Sequence, residues 1–190
     1  MAGGIEAMSL ADARYSRVAI WLHWIIAVLI LANLFLGFFH ESFGEAAEAP
    51  MMITHMSIGV IVLGLSLLRF LWRLGHWPPP FDPVLKGWEV FLARLTHALF
   101  YVLMILLPLS GWAIVSTGDR PVPFLGLFAI AALPVARGRE AHDAFEEWHE
   151  LLALVMIALI LLHVAGALKH HLQGHRHLTG RMAPWVLRRS

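Results

Sequence analysis

The fold class predicted by this sequence is an all-α integral membrane protein, a four-helix bundle with both termini cytoplasmic. Three observations carry it. Of 190 residues, 59% are hydrophobic and 14% charged, against about 45–50% and about 25% in soluble domains. Mean hydropathy is +0.71. Four stretches, residues 18–39, 52–72, 92–116 and 148–170, reach the roughly 20 apolar residues that a spanning helix needs.

The composition closes off other classes. Cysteine is absent, which removes disulfide scaffolds, thiolate metal sites and the C-x-x-C-H attachment of a covalent haem. A formal net charge of +1 gives no bulk attraction for nucleic acid. Twelve histidines are more imidazole than a passive bundle needs.

The first stretch outruns the about 7–15 residues of a signal-peptide core and lacks an A-x-A-like cleavage site, so it reads as a retained helix. WPPPFDP at 77–83 stops the second helix and stiffens the loop that follows. The fourth stretch opens with EEWHE at the lipid–water boundary. PVPFLGLFAIAALPV at 121–135 is apolar but short and bounded by prolines, so it is expected to lie along the interface or fold over the bundle. Most tryptophans fall near predicted span ends, as in an aromatic belt. The chain divides into an N-terminal segment (1–17), a four-helix spanning domain (18–170) and a basic tail (171–190).

Lysine and arginine fix the orientation. The loop between spans one and two carries Glu41, Glu45 and Glu48 without a basic residue, and the loop 117–150 is also acidic. The loop between spans two and three holds Arg69, Arg73, Lys86 and Arg94. Arg14 and Arg17 precede span one, and the tail adds Lys169, Arg176, Arg181, Arg188 and Arg189. Both termini and the second loop are therefore expected in the cytoplasm.

Ionisable groups inside spans are costly and mark function. His23, His55, His97 and His163 fall within spans, and His149 at the mouth of the fourth. His149 and His163 are 14 residues apart, about 40° short of four full turns and about 21 Å along the axis. One helix face thus offers an imidazole in each leaflet. Depth pairs His55 with His149 and His23 with His163, the bis-imidazole arrangement that haem iron accepts. Gly59, Ala27 and Gly166 are small neighbours that would let a flat group approach.

A single intramembrane histidine is more often hydrogen-bonded to a neighbouring helix than a ligand; matched depths and a shared face favour ligands here. Zinc or nickel sites gather three or four donors at one level, whereas these donors split between two. His97 lies at the inner level and reads either as an interfacial hydrogen-bonding group or as part of a quinone or propionate site. Met51, Met52, Met56 and Met104 are potential thioether ligands but suit packing better.

The residues resemble those of the bacterial cytochrome b561 family, related to the b-type subunits of nickel–iron hydrogenases and formate dehydrogenases. The similarity rests on RYSRVAIWLHW, MITHMSIGV, LTHALFYVLMILLPLSGW and EEWHELLALVMIALILLHVAGALKHH, which cover all four spans. It implies two non-covalent b haems, with His23 and His163 as axial ligands of the cytoplasmic-side haem and His55 and His149 of the outer one. It gives His97 no axial role. It also implies exchange of electrons with membrane quinones, ubiquinone among them, in the bacterial inner membrane. One branch oxidises superoxide at the outer face.

The function expected is transmembrane electron transfer through two bis-histidine haems, coupled to the quinone pool. Arg69, Arg73, Arg94 and Lys169 are candidate inner cations for propionates or a quinone edge, Arg120 and Arg137 outer ones. His97, Lys169 and His170 are the candidate quinone pocket. The outer loops hold nine carboxylates against three arginines, charge that does not steer a superoxide anion inward. The alternatives are a membrane anchor subunit serving a soluble or periplasmic redox partner, and a haem-free transporter or metal carrier built on histidines.

Overall fold

The computed structural model describes residues 15–189; the rest of the N-terminal segment, Arg14 included, lies outside them. Four helices are long and apolar enough to cross a membrane. They are α1 (Arg17–Phe39), α2 (Glu45–Gly75), α3 (Gly87–Ser116) and α4 (Arg139–Leu172). The helices α2 and α4 begin well before the apolar stretches at 52 and 148. Glu45 and Glu48 in the first turn of α2, and Glu140 in that of α4, are matched to the positive helix N-terminus and sustain helix beyond the lipid. Ser16 caps α1, its hydroxyl accepting from the Ala19 N–H at 3.2 Å.

Short connections make the helices an up-and-down bundle. Backbones pack closely along α1–α2, α2–α3 and α3–α4, while α4 makes almost no close backbone contact with α1 or α2. Side chains cross that gap. Ile26 of α1, Leu103 and Met104 of α3, and Met156 and Leu159 of α4 form the buried core at mid-height. Small buried polar residues, Ser57, Ser66 and Thr96, line the helix contacts, as membrane bundles favour. The outer surfaces of the helices are lined with exposed leucine, phenylalanine and valine, the surface that lipid covers.

Segment 121–135 folds over one end of the bundle. It forms an antiparallel hairpin of β1 (Val122–Phe124) and β2 (Phe128–Ile130). Leu125 (φ 51°) and Gly126 (φ 70°) both take the left-handed conformation that a tight hairpin turn demands. Leucine is strained there, and a tether holds it: the Leu125 N–H donates to Ser57 Oγ at 2.8 Å, and that hydroxyl donates to the Ile53 carbonyl at 2.7 Å. Ser116 Oγ likewise accepts from the Leu133 N–H at 2.9 Å. Trp112 Nε1 donates to the Ala131 carbonyl at 3.0 Å.

The opposite end, where α1 begins and α4 ends, is closed by the tail. The short helix α5 (Arg176–Gly180) and a 3-10 turn (Pro184–Arg189) fold back under the helices. Asp82, from the proline-rich loop, receives His177 Nε2 at 3.1 Å and Arg181 Nη2 at 3.4 Å. Trp24 Nε1 donates to the Met182 carbonyl at 2.9 Å. A Cβ on Gly180 would meet Leu187 Cδ1 at 2.6 Å, so a larger residue here requires the Leu187 side chain to shift.

Two outcomes test these closures. Replacing Ser57 by Ala strands the Leu125 N–H, and should cost about 1–3 kcal/mol of unfolding free energy; unchanged stability in detergent unfolding would show the tether idle. The Val84 N–H, helped by His177 and Arg181 and opposed by desolvation, holds the Asp82 carboxyl below its usual range. Its contribution is therefore present at neutral pH and lost as pH falls through that depressed value. Asp82→Asn should raise amide exchange across 176–183 at pH 7, while the intact protein loses that protection only below the ordinary carboxylate range of about pH 4.

Candidate functional site

The bundle brings four histidines together as two pairs. At the end where α1 begins and α4 ends, the rings of His23 (α1) and His163 (α4) have centroids 6.2 Å apart and planes at 71°. At the hairpin end, those of His55 (α2) and His149 (α4) are 6.1 Å apart at 79°. Both pairs span the gap between α4 and its opposite helices, and the apolar core at Met156 and Leu159 lies between them.

Each hairpin-end imidazole is held by the same local device. A helix carbonyl at position i is normally covered by the side chain at i+4, because side chains lean toward the N-terminus. Glycine at i+4 uncovers it. His55 Nδ1 donates to the Asn33 carbonyl at 3.0 Å, and Gly37 stands four residues on; a Cβ there would meet His55 Cε1 at 2.9 Å. His149 Nδ1 donates to Ser110 Oγ at 2.9 Å, whose own proton goes to the Leu107 carbonyl at 2.8 Å. Gly111 stands four residues after Leu107, and a Cβ there would meet His149 Cε1 at 3.1 Å. With Nδ1 carrying the proton, Nε2 keeps its lone pair for a metal.

The pair near the termini differs. Arg69 Nη1 donates to His23 Nδ1 at 3.1 Å. His163 is ringed by His97 and Phe100, each with its centroid 5.6 Å away. His97 Nδ1 donates to the Ala93 carbonyl at 2.6 Å, so its Nε2 remains free. Beside Arg69 a cavity of about 20 Å³ is lined by Tyr15, Arg73, Trp72, Tyr101 and Met182. Arg73 also lies over the Tyr101 ring, 5.6 Å from its centroid.

The remaining sequence candidates spread out. Lys169 Nζ binds Glu89 Oε1 at 2.5 Å and His170 Nε2 lies 3.8 Å from the same oxygen. Glu89 precedes His97 by eight residues on α3, about 12 Å along the axis, so Lys169 and His170 join α4 to the start of α3 at a different level from His97. Arg94 covers the Phe81 ring at 5.3 Å. Arg137 is paired with Asp119 at 2.7 Å. Met104 is buried in the core. The small neighbours at the imidazoles are Gly37 and Gly111, whereas a Cβ on Gly59 would come 3.8 Å from Asn33 Nδ2 and one on Gly166 would meet nothing within 4 Å. The i, i+4 offset of Asn33 and Gly37 was a readable signal, but only once the partner helix of His55 is known.

The donor set fits haem. Metal–imidazole bonds of about 2 Å on either side of one metal put ring centroids about 6 Å apart, and both pairs have that spacing. Gly37 and Gly111 give the rings clearance that any side chain would fill. The separation of α4 from α1 and α2 puts the pairs between spans, where helix bundles build cofactor sites. Among the described residues, no three or more His, Asp or Glu gather as a metal-ion site, the number that zinc takes at one level.

Comparison with known proteins agrees with this chemistry. The family model described as prokaryotic cytochrome b561 matches residues 14–185. Cytochrome b561 homolog 1 of Escherichia coli K12 is 29% identical over 175 residues, 90% of this chain and 97% of its own. Cytochrome b561 homolog 2 of the same organism is 28% identical over 162 residues, 83% of this chain and 85% of its own. A probable superoxide oxidase, CybB, of Yersinia pestis is 30% identical over 161 residues, covering 83% and 89%. The chain belongs to the prokaryotic cytochrome b561 family: a multi-pass protein of the bacterial inner membrane that uses b-type haem in electron transport.

Proposed function

We propose that the protein carries single electrons across the membrane through two b-type haems and exchanges them with the quinone pool, ubiquinone in the first place. One observation carries the reading: α4 offers an imidazole to each of two pairs, spaced 6.2 and 6.1 Å, at opposite ends of the bundle. His23 and His163 would hold one haem, His55 and His149 the other. Bound there, the group supplies reversible one-electron reduction. Two histidines at each site would leave no open position on the metal, which favours electron transfer over oxygen binding.

The chain's own part is positional and electrostatic. The Asn33 carbonyl and Ser110 hydroxyl fix the tautomers of His55 and His149 and increase their basicity as ligands. The Ser57-tethered hairpin closes one end against water and the Asp82-clamped tail the other. The basic end, with both termini, lies in the cytoplasm by the positive-inside rule. A quinone takes two electrons and two protons to become quinol. His97, whose free Nε2 lies beside His163, is the candidate for its proton and carbonyl contacts.

Superoxide as the outer donor is a second reading, favoured by the Yersinia pestis relative's name. Such a donor loses one electron to become oxygen. Arg137 is neutralised by Asp119, and Arg139 lies 3.7 Å from Asp143, which among the described residues leaves Arg120 as the arginine of the outer loops to steer an anion. Reducing the purified protein separately with superoxide and with ubiquinol, and following its haem bands, decides between donors.

A pyridine haemochrome assay should find about two haems per chain under this ligand count; none would end the reading. Alanine at His23 or at His163 should remove one visible signal, and at His55 or His149 the other. Gly111→Ala should weaken only the signal that depends on His149. His97→Ala should leave the visible spectrum intact and slow reoxidation by ubiquinone. An unchanged rate would take His97 out of quinone exchange, and a lost haem would make it a ligand.

A further inference from the structure

The tail that closes the basic end carries positive charge without acids of its own. No carboxylate side chain occurs from 151 to 190. Among the described residues, the acids at this end are Asp82 and Glu89. Asp82 receives His177 and Arg181, and Glu89 receives Lys169. Arg176 has no carboxylate within ion-pair distance among the described residues. Its backbone is nonetheless fixed: Thr179 Oγ1 donates to the Arg176 carbonyl at 2.9 Å and accepts from His171 Nδ1 at 3.3 Å.

Arg176 lines an open cavity of about 470 Å³ together with His171, Trp185 and Val186, within the about 300–1,000 Å³ of small-molecule sites. One wall is basic and the other aromatic and aliphatic. The aromatic wall reaches the lipid-facing side of the bundle. Trp185 is half exposed, and its ring centroid lies 5.3 Å from that of Trp24, whose Nε1 donates to the Met182 carbonyl. Trp21, one turn before Trp24 on α1, is 68% exposed. Trp24 stands seven residues after Arg17, where α1 begins, about 10 Å along the axis. Tryptophans so placed mark a lipid–water boundary. A water-soluble anion would need the cation alone; the adjoining indole and valine suit a phosphate that carries acyl chains.

We propose that this cavity binds the headgroup of an anionic phospholipid such as phosphatidylglycerol. Arg176 takes the phosphate, and Trp185 and Val186 lie against the glycerol and the first acyl carbons. The bound lipid ties the tail to the rim of the bundle between α4 and α1, whose backbones do not pack closely. The site uses neither histidine pair, so it stands or falls apart from haem and quinone.

The test titrates the purified full-length protein in detergent with dioleoyl phosphatidylglycerol or dioleoyl phosphatidylcholine and counts bound lipid by native mass spectrometry. The first phosphatidylglycerol should bind about tenfold tighter than the first phosphatidylcholine, the scale of a charge-assisted hydrogen bond. That preference should fall toward one in Arg176→Gln and persist in Lys86→Gln, which removes a charge at the same end but outside the cavity. Equal affinity for the two lipids in the unaltered protein overturns the proposal. An equal fall in both variants overturns it in favour of diffuse surface charge. Displacement of the bound lipid by millimolar sn-glycerol 3-phosphate overturns it in favour of a soluble phosphate compound. Should Arg176→Gln fail to fold, amide exchange across 176–187 in nanodiscs gives the same reading. It should be at least threefold slower with phosphatidylglycerol than with phosphatidylcholine, and equal rates count against the site.

Discussion

Fourteen residues of one uninterrupted helix separate His149 from His163, and that interval dictates the rest of the structure. It puts two imidazoles on one face at opposite ends of the bundle. Each then needs a partner at its own height from a helix that does not crowd α4. Helices α1 and α2 supply those partners across a gap, and α3 carries the close packing against α4. Had α4 packed on all its neighbours, the rings would have been ordinary buried polar groups. Held at one side only, they meet in facing pairs across the bundle.

The device that orients the hairpin-end rings uses no costly chemistry. A backbone carbonyl already bonded within its helix retains a second lone pair, and glycine four residues on leaves it reachable. Asn33 with Gly37 and Leu107 with Gly111 repeat the pattern on different helices. In a low-dielectric setting such bonds are firm, and a misplaced proton would remove the metal-binding lone pair. These glycines are therefore matched to His55 and His149, not merely tolerated in a span.

Much of this was legible in the sequence, and the boundary of legibility is physical. Span number and the matched depths of His23, His55, His149 and His163 follow from helical rise and turn, which distant contacts hardly alter. The sequence marks the hairpin only as a segment folding over the bundle, because its tethers are single side chains, Ser57 of α2 and Ser116 and Trp112 of α3. The grouping of His97, Lys169 and His170 came from proximity to one end, which does not resolve levels about 12 Å apart. Clearance at Gly37 and Gly111, and the meeting of Tyr15, Arg69 and Tyr101, depend on which helix faces which. Periodicity along a single helix does not contain that information.

Charge in this chain is sparse and placed by a rule that Arg69 breaks. Lys169 and Glu89, Asp82 and His177, and Arg137 with Asp119 are opposite charges or charge-assisted bonds at the ends, where segments are fastened and water is near. Each closes a seam without entering the core. Arg69 and Arg73 instead share a wall with two phenols beside an imidazole. A guanidinium can be retained there for packing alone, but methionine or leucine would pack at lower desolvation cost.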